Sequence, residues 1–457
     1  MIAVVGGGPA GAVLALRLTR LGHRVTIYER TRFPRPHVGE SLGPGIGPLL
    51  DALDLRDCVL ATSPIVASHS LVRWSSDDVI RDERPSLLVD RTKFDAALLE
   101  CARASGVTIV HATALAAKDL DAEIVVDASG RAGWLRGARE TLGAPTLALF
   151  AYFRGLADFT QPRIEALDGG WLWGAPIPDG TVNVMAFVDP GPSTEARFTA
   201  LLAQSTLFRE CLHAERATPL LALDATARAA VAPIGRNFVR IGEASHTLDP
   251  LSASGVQSAL SSALHASIAI HTMLTLPERT NAAIEFYADA QHAAAHQHAA
   301  WAGAYYASAT NVSGPFWQSR SLLSPDPSEA PMPDDAQPIV RSQDATIRDT
   351  PIIDGDVIDL RPAVHHANLD RPLAWLGGVA VAPLLAALDE PLTLRELVAR
   401  WSGMRLVVGC RLSVVRHSSP APCLTDNRQQ TTDNNLDPRT AERIARWLLR
   451  RKILETV

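Results

Sequence analysis

The stretch that most constrains the fold of this chain is residues 2–29, IAVVGGGPAGAVLALRLTRLGHRVTIYE. A short apolar run enters a turn containing Gly6, Gly8 and Gly11, and an Ala/Leu-rich helix and a second apolar run follow, ending at Glu29. The first glycine permits the tight turn, the second lets backbone N–H groups approach a pyrophosphate, and the third lets the helix pack closely on the strand. The final carboxylate can accept hydrogen bonds from ribose hydroxyls. The segment therefore predicts a Rossmann-type unit that binds a dinucleotide.

Length and charge set limits on the rest of the chain. Its 457 residues exceed one ordinary core, which predicts two or three domains. The formal net charge of −6 argues against nucleic acid as a partner. No apolar run is long enough to span a membrane, and no charged leader precedes the first strand. The five cysteines lack metal-type spacing and are typical of a reducing compartment, so we expect a cytoplasmic protein.

The domains are expected to be interleaved in an α/β fold. Alternating apolar and polar segments, such as 146–153 and 181–188, predict a mixed β-sheet substrate domain beside the dinucleotide-binding domain. A stretch rich in Pro and Asp predicts a linker to a small C-terminal domain. The predicted boundaries are 1–61, 91–145 and 233–323 for the dinucleotide-binding domain, 62–90 and 146–232 for the substrate domain, 324–340 for the linker, and 341–457 for the C-terminal domain.

The C-terminal domain has the pattern of a winged-helix module. Helical patterns cover about 374–387, 392–401 and 437–450, and residues 453–457 are compatible with a terminal strand. An insert at 404–435 differs from the rest because it is rich in Ser, Asn, Gln and Thr. It is compatible with a mobile loop and equally with a reading-frame disturbance.

Three further segments indicate that the dinucleotide is FAD. Residues 127–131 (DASGR) read as a strand end and a small-residue turn, and 242–246 (GEASH) read as another strand end, followed by 249–256 (DPLSASGV). Arg91 opens a helix whose position suits a contact to the cofactor. Open α/β sheets bind ligands at the carboxyl ends of their strands. The helix start at Gly255 offers N–H groups that can stabilise negative charge on a reduced flavin.

Over about residues 1–320 the chain resembles single-component flavoprotein monooxygenases of the p-hydroxybenzoate hydroxylase fold. The resemblance implies FAD, O₂, and reduction either by NAD(P)H directly or by a separate flavin reductase. The chain departs from the family pattern with Ala128 in place of a glycine and Glu243 in place of an aspartate. The residues that the motifs and the resemblance assign to FAD are Gly6, Gly8, Pro9, Ala10, Gly11, Glu29, Arg30, Ser41, Arg91, Asp127, Gly130, Gly242, Glu243, Pro250, Ser254, Gly255 and Val256.

Within this superfamily the chain is similar to the flavin-dependent halogenase branch. Residues 39–41 (GES) resemble that branch's Gly-Glu-(Ser/Ala) segment. Residues 171–178 (WLWGAPIP) resemble its Trp-x-Trp-x-Ile-Pro signature, with two extra residues before Ile177. We therefore expect Trp171 and Trp173 to line the substrate pocket, although two core indoles on a strand are equally compatible with the pattern.

A lysine that this branch needs is missing. The resemblance implies a lysine amine that carries or polarises hypohalous acid, placed after the Gly-Glu-Ser segment and before Trp74. No lysine precedes Lys93, and the expected neighbourhood at 65–67 is apolar. Oxygen insertion needs no such lysine, because the cofactor carries the reactive oxygen. The sequence therefore predicts a hydroxylase on a halogenase-like scaffold.

Histidines offer a candidate base but no convincing metal site. His246 sits beside the proposed flavin contact, and a neutral imidazole can accept a proton near pH 7. It is the candidate catalytic residue, with a structural hydrogen bond as the alternative. The predicted helix around His292, His296 and His298 offers imidazoles at i and i+4, a spacing that suits a metal. No carboxylate motif accompanies them, so we expect a solvated helix face and no metal.

A halogenase-like core that lacks the lysine is followed here by an extra C-terminal domain. In this combination the chain resembles the flavin monooxygenases that mature tryptophylquinone cofactors, as in biogenesis of quinohemoprotein amine dehydrogenase. This resemblance implies hydroxylation of a tryptophan side chain in a partner polypeptide, docked with help from the C-terminal domain. Two alternatives remain open. One is a small-molecule aromatic hydroxylase or halogenase-like enzyme of secondary metabolism, and the other is a flavin-dependent isoprenoid reductase with a long apolar tunnel.

Overall fold

The computed structural model describes residues 1–112, 116, 119–321, 334–404 and 436–456. Most of the predicted linker 324–340 and nearly all of the predicted insert 404–435 lie outside these residues. The chain divides into two units. The first contains Met1–Ser267 and Ala290–Ser324, and the second contains Ile268–Asp289 and Pro325–Val457.

The first unit contains βαβ segments and runs of consecutive strands, and the second unit contains short strands and helices. The strands are β1 (Ile2–Val5), β2 (Val25–Glu29), β3 (Ser41–Leu42), β4 (Ile65–Ala67), β5 (Ser70–Arg73), β6 (Ile80–Asp82), β7 (Ser86–Leu88), β8 (Thr108–His111), β9 (Ile124–Asp127), β10 (Arg139–Thr141), β11 (Leu147–Arg154), β12 (Arg163–Leu167), β13 (Gly170–Pro176), β14 (Val182–Val188), β15 (Glu215–Arg216), β16 (Leu221–Asp224), β17 (Arg228–Ala230), β18 (Phe238–Arg240), β19 (His246–Thr247), β20 (Ile339–Arg341), β21 (Thr346–Asp354), β22 (Val357–His365), β23 (Trp375–Leu376), β24 (Val379–Ala380) and β25 (Leu454–Thr456). The helices are α1 (Pro9–Arg20), α2 (Ile46–Ala52), α3 (Arg56–Leu60), α4 (Arg91–Ala104), α5 (Thr194–Gln204), α6 (Gly255–Thr275), α7 (Thr280–Ala307), α8 (Pro315–Gln318), α9 (Val381–Ala386), α10 (Leu394–Ser402) and α11 (Pro438–Arg450).

A five-stranded parallel sheet organises the dinucleotide-binding part, in the order β18-β9-β1-β2-β8. The central strand is buried along its whole length, as expected for a parallel strand covered on both faces. In register, Val5 pairs with Tyr28 on one side and with Asp127 on the other. The carboxyl ends of three strands therefore meet at one edge, where the predicted glycine turn begins. The predicted Rossmann-type unit is confirmed.

A second, larger sheet forms the predicted substrate part. Its eight strands follow the order β15-β11-β14-β13-β12-β5-β6, with β16 also paired to β11. The β12–β5 pair is parallel and the other pairs are antiparallel, so the sheet is mixed as predicted. One face packs with α5 around a core that contains Phe153, Phe198 and Phe208. Aromatic residues from the other face pack with residues of α7 and α8, including Trp171, Tyr306 and Trp317.

The second unit builds its own apolar core from α9, α10, α11 and short strands. Trp401 and Leu448 are fully buried in it. Helix α10 begins with a capping box in which Thr393 and Glu396 each bond the other's backbone N–H. The final helix and the terminal strand agree with the sequence prediction. The helix predicted at about 374–387 is confirmed only for Val381–Ala386. Its first part is wrong, because Gly377 and Gly378 adopt positive φ (61° and 81°) and turn 375–380 into the β23–β24 hairpin.

The predicted fold class, a Rossmann-type domain with an interleaved mixed sheet and a small C-terminal domain, is thus confirmed. The residue boundaries between the FAD-binding and substrate domains stay a prediction. Within the described part of the chain, no helix is both long and apolar enough to cross a membrane.

Replacing Leu448 by alanine should lower the free energy of unfolding of the second unit by about 3 kcal/mol, because a fully buried leucine leaves a cavity when it is truncated. Urea unfolding followed by tryptophan fluorescence measures the change. The matched variant Arg450→Ala, at an exposed position of the same helix, should stay within about 0.5 kcal/mol of the wild type. Equal losses in the two variants would contradict this assignment of the core.

Candidate active site

A cavity of about 990 Å³ opens at the carboxyl edge of the parallel sheet and extends to the large mixed sheet. All of the predicted FAD residues except Gly11 and Asp127 line it, and so do His246 and Trp173. The structure therefore brings together segments from the glycine turn to the start of α6. The glycine turn lies at one end, and the other end is mostly apolar.

The glycine turn allows no side chain at two of its positions. A Cβ added at Gly6, whose φ is +108°, would lie 2.4 Å from the carbonyl oxygen of Ala128. A Cβ added at Gly11 would lie 2.0 Å from the carbonyl oxygen of Gly6 and 3.1 Å from the Cβ of Ala128. Gly11 is absent from the cavity wall because it fills the contact between α1 and the strands behind it. Its predicted role is one of packing.

Helix α1 points an uncapped N-terminus into the cavity. Its N-cap is Gly8, no side chain caps the helix, and its first turn contains no acidic residue. Gly8, Pro9 and Ala10 all line the cavity. Free N–H groups and the positive end of the helix dipole at this place favour a phosphate. This wall fits the pyrophosphate of a dinucleotide.

Glu29 is buried at the end of β2, where it is fixed by backbone donors. Its Oε2 accepts from the N–H of Gly7 at 2.7 Å, and its Oε1 accepts from the N–H of Thr31 at 2.8 Å. The carboxylate thus joins the glycine turn to the second strand. Carboxylate oxygens have further lone pairs, so Glu29 can still accept from ribose hydroxyls.

Asp127 lies outside the cavity wall and holds the turn that follows β9. Its Oδ1 accepts from the N–H and Oγ of Ser129 at 3.0 and 2.6 Å, and its Oδ2 accepts from the N–H of Leu135 at 2.7 Å. Gly130, in the same turn, lines the cavity. The structure therefore gives Asp127 the task of shaping the wall rather than touching a ligand.

Arg91 lines the cavity, but most of its donors are used within the protein. Its guanidinium forms a bidentate pair with Asp95 at 2.7 and 3.0 Å and donates to the carbonyls of Val38 and Gly39. These bonds use four of its five N–H donors. Arg91 therefore holds the segment that leads into Gly39-Glu40-Ser41, and Ser41 lies on the cavity wall.

Glu243, which stands where aspartate was expected, forms an ion pair with Arg131 at 2.8 Å. Both residues line the cavity. The pair joins the turn after β9 to the turn after β18, so the longer side chain of glutamate bridges the two motifs. Nothing in the sequence pattern of either motif predicted this pairing.

The other half of the cavity is apolar. Its wall includes Ala148 and Phe150 from β11, Met185 and Phe187 from β14, and Leu223 from β16. These side chains belong to the core between the large sheet and α7. A flat apolar ring would be enclosed there without leaving polar groups unpaired.

The two indoles of the 171–178 segment have different positions. Trp173 is half-buried and lines the cavity. Trp171 is fully buried, stacks on Phe187 with ring centroids 4.0 Å apart, and donates its Nε1–H to Tyr306 Oη at 3.2 Å. Trp171 is therefore a core residue behind the wall, which corrects its predicted place in the substrate pocket.

Glu40 is a buried carboxyl group that the sequence motif contained but whose role was missed. It lines the cavity, accepts from Tyr152 Oη at 2.5 Å, from Asn183 Nδ2 at 3.0 Å and from the Gly39 N–H at 2.9 Å. Burial raises the pKa of Glu40, and burial and the Glu40 charge raise the pKa of Tyr152. The sequence signal that could have identified Glu40 as a site residue is the presence of an acidic residue within a predicted cofactor segment.

Asp249 is a further carboxyl group on the wall, and like Glu40 it has a raised pKa. Tyr306 Oη lies 3.1 Å from both of its oxygens, and its Oδ1 accepts from the Leu251 N–H at 3.0 Å. Burial raises its pKa to about 6. Its position before Pro250 in a predicted cofactor segment was the only sequence signal.

His246 lines the cavity, and its Nε2 lies 2.8 Å from Ser258 Oγ. The three helix histidines are dispersed. His292 bonds the Ala230 carbonyl, His296 lies 3.3 Å from Glu140, and His298 bonds Ser252. Among the described residues, no group of His, Cys, Asp or Glu is arranged to hold a metal ion.

The glycine turn, the start of α1 and Glu29 form a dinucleotide site, and an apolar chamber lies beside it. This combination is typical of a dinucleotide-dependent oxidoreductase. The sequence profile of the NAD(P)-binding Rossmann-like domain matches residues 4–39, and that of tryptophan halogenase matches residues 65–333. The chain belongs to the tryptophan halogenase family. Its cofactor is FAD, as predicted, with O₂ as the oxidant and NAD(P)H as the source of electrons.

Curated relatives agree with this membership. The chain is 28% identical over 340 residues to a tryptophan 2-halogenase of Chondromyces crocatus, covering 63% of this chain and 64% of that relative. It is 28% identical over 337 residues to the flavin-dependent halogenase rdc2 of Metacordyceps chlamydosporia, covering 60% and 65%. The match thus spans less than two thirds of the length of either relative.

Solved structures cover more of the chain. The flavin-dependent halogenase CmlS superposes with a TM-score of 0.74 at 22% identity, over 87% of this chain and 91% of its own, which shows a shared fold. The peptidyl tryptophan dihydroxylase QhpG, described as essential for tryptophylquinone cofactor biogenesis, superposes with a TM-score of 0.71 at 26% identity. That match covers 88% of this chain and 95% of its own.

Replacing Gly11 by valine should abolish FAD binding, because even a Cβ at this position would clash with the Gly6 carbonyl and push α1 away from the strands. The flavin absorbance of the purified protein, per mole of chain, measures the loss. Gly43→Ala is the matched control, because a Cβ there would meet no atom within 4 Å. A Gly11→Val protein that retains a full complement of FAD would refute this role for the glycine.

Replacing Glu40 by glutamine should shift the free energy of unfolding, relative to that of the wild type, in the stabilising direction as the pH rises. The folded-state pKa of Glu40 is raised, so the wild type loses stability between the unfolded pKa of about 4.3 and that higher value. The free energy of unfolding of Glu40→Gln minus that of the wild type should therefore increase with pH, by at most about 1.4 kcal/mol per pH unit. Urea unfolding between pH 4 and pH 8 measures the difference.

The exposed residue Glu285, on α7, provides the control for the substitution itself. Glu285→Gln should unfold at neutral pH within about 0.5 kcal/mol of the wild type, because substitutions at exposed positions change stability little. A Glu40→Gln difference that falls with pH would have the wrong sign for a buried carboxyl group.

Proposed function

We propose that this protein is an FAD-dependent monooxygenase that hydroxylates a tryptophan side chain carried by a partner polypeptide, during biogenesis of a quinone cofactor. The single observation that carries the choice of reaction is the cavity wall: among the described residues that line it, none is a lysine. Lys93 is exposed on α4, and Lys452 follows α11 in the second unit. The amine that would hold hypohalous acid in a halogenase is therefore missing from the wall.

The cofactor half of the cavity supplies binding and orientation. When bound, FAD supplies the reduction of O₂ and the transfer of one oxygen atom to the substrate. The backbone of Gly6 and Gly8 and the start of α1 would hold the pyrophosphate, and Glu29 would hold the ribose. The start of α6 would place its N–H groups against the reduced ring.

The apolar half would take the aromatic ring. Phe150, Met185 and Phe187 would enclose it and exclude water from the reacting atoms. Tyr152 lies at the polar end of this wall, and its hydroxyl donates to Glu40. Its lone pairs would then be free to accept the N–H of an indole ring.

A polypeptide substrate is supported by the similarity to QhpG and by the second unit. The QhpG match covers 88% of this chain at 26% identity and the CmlS match covers 87% at 22%, so both extend into the second unit and QhpG is the more similar of the two in sequence. The second unit has its own core and its own short sheets, so it would provide a docking surface without contributing to the cofactor site. A polypeptide substrate would use this unit for docking, whereas a small-molecule substrate would not need it.

Halogenation is the second candidate, because the family profile and the curated relatives are halogenases. The two reactions differ in the atom that enters the ring. A reaction with reduced FAD in ¹⁸O₂ and in the presence of chloride and bromide separates them.

We expect the full chain with reduced FAD to add oxygen from ¹⁸O₂ to a tryptophan-containing polypeptide and to add no halogen. The substrate would be captured from the native host on the immobilised protein and analysed by mass spectrometry before and after turnover. A gain of one or two oxygen atoms on a tryptophan supports the proposal. The Gly11→Val protein is the matched control, because it should capture the polypeptide and leave its mass unchanged. Chlorinated or brominated product, or turnover of free aromatic molecules alone, would contradict the proposal.

A further inference from the structure

Asp249 combines access to the cavity with a fixed orientation. It begins the turn Pro250–Ser252, which precedes α6, and its own Oδ1 caps that turn by accepting the Leu251 N–H. Tyr306, from α7, donates its hydroxyl to the carboxylate at 3.1 Å. Within the described part of the chain, Tyr306 is the donor to Oδ2 and no backbone N–H bonds it, so this atom retains lone-pair capacity toward the cavity.

A second residue fixes the donor. Trp171 Nε1–H donates to Tyr306 Oη at 3.2 Å, and both residues are buried. Because the indole N–H occupies a lone pair of that oxygen, the tyrosine proton is directed to Asp249. The high pKa of the buried Tyr306 keeps this proton in place. Asp249 is therefore held as an acceptor at the wall by a chain of two donors.

The charged and titratable groups around Asp249 leave it able to take a proton. Tyr306 on α7 and the charge of Arg320 lower its pKa, and burial outweighs them and raises it to about 6. The Nη1 and Nη2 groups of Arg320 donate to Asp189, Thr146 and nearby carbonyls. In the same region, His298 on α7 bonds Ser252, and His246 bonds Ser258 on α6. Among the described residues, no cation forms an ion pair with Asp249.

Aromatic hydroxylation needs such an acceptor. When a C–O bond forms with an electron pair of the ring, the ring carbon still bears its hydrogen. Aromaticity returns when that C–H bond breaks, its electron pair re-enters the ring, and the proton leaves to a base. In sum, ArH, O₂, NAD(P)H and H⁺ give ArOH, NAD(P)⁺ and water.

We propose that Asp249 is the general base that accepts this ring proton from the substrate. The inference rests on the proposed function to the extent that an aromatic ring occupies the apolar half of the cavity. Glu40 is less suited, because Tyr152, Asn183 and Gly39 already donate to its oxygens. Asp249 replaces His246 as the residue assigned to this step.

The test uses the full chain with FAD, reduced by a flavin reductase and NADH, and N-acetyl-L-tryptophanamide as the probe, in normal and ring-deuterated forms. The variants are Asp249→Asn, which keeps the shape of the side chain, and Tyr306→Phe, which removes the donor. Tyr305→Phe is the matched control, because among the described residues it is the hydroxyl of Tyr306, and not that of its neighbour Tyr305 on the same helix, that bonds Asp249. FAD content and circular dichroism establish that each variant is folded.

We expect wild-type product formation to rise with pH through about pH 6, because the base acts only when it is deprotonated. In Asp249→Asn this rise of the rate with pH (the acidic limb of the pH profile) should be lost. The variant should form about 100-fold less product per second, while O₂ consumption continues with release of H₂O₂. Its deuterium isotope effect should rise above that of the wild type, because proton removal becomes slow. In Tyr306→Phe the limb should move to higher pH, because a donor that lowers the pKa of Asp249 is lost. Tyr305→Phe should keep the wild-type limb.

A direct titration gives a readout that does not depend on turnover. The infrared difference spectrum of the wild type minus Asp249→Asn should show a carboxyl band that titrates near pH 6 and moves upward in Tyr306→Phe. A band that titrates below pH 4 would overturn the proposal, and so would an Asp249→Asn enzyme with the wild-type rate and isotope effect.

Failure of the proposed function is distinguishable from failure of the base. If the wild type halogenates the probe, hydroxylation is refuted, and the same comparison still decides the role of Asp249, because a ring proton must leave in that reaction too. If the wild type forms no product from the probe or from the captured polypeptide, the aromatic reaction and the base assigned to it are both refuted. Product from the polypeptide alone agrees with the proposed function, and the same variants are then compared on that substrate. If the wild type hydroxylates the probe and Asp249→Asn does so equally well, only the inference about Asp249 fails.

Discussion

The close approach of α1 to the ends of β1 and β9 is the contact on which the rest of the site depends. At Gly11 there is no room for a single carbon atom, because the Gly6 carbonyl lies 2.0 Å from where a Cβ would stand. This contact places the uncapped start of the helix at the carboxyl edge of the parallel sheet. The glycine turn, the buried Glu29 and the turn held by Asp127 are all arranged around it. A dinucleotide site of this kind requires backbone at a distance that side chains would prevent.

Two buried carboxyl groups tie the cofactor edge to the large sheet within the first unit. Glu40 receives donors from Tyr152 on β11 and Asn183 on β14. Asp249 receives one from Tyr306 on α7. Burying a carboxyl group is costly unless donors are supplied, so these bonds constrain how the parallel sheet, the large sheet and α7 pack together. The same bonds leave acidic groups on the wall of an otherwise apolar chamber, where their protonation can be coupled to chemistry.

The family fold and the reaction are separate questions for this chain. The fold is shared with halogenases, and the sequence profile of the family extends over residues 65–333. The reaction depends on which side chains reach the chamber, because FAD and O₂ are common to both chemistries. A wall with acidic and aromatic groups, and with no lysine among its described residues, favours the proposed oxygen transfer. The proposed reaction therefore rests on the side chains of the chamber and not on the shared fold.

Local patterns in the sequence determined the glycine turn, strands β9 and β18, and helix α6, because each is encoded by residues that are neighbours in the chain. For the same reason most of the predicted FAD residues do lie on one cavity wall. Only the tertiary structure distinguished Trp171 from Trp173. Both lie on the same side of β13. Phe187, on the neighbouring strand β14, and Tyr306, on the distant helix α7, cover the first, and the second stays beside the cavity. The partners of Glu40 and Asp249 are likewise far away in sequence, by 112 residues for Tyr152 and by 57 for Tyr306. The pattern of residues that are adjacent in sequence does not predict such contacts, because they form only when distant sheets and helices pack together.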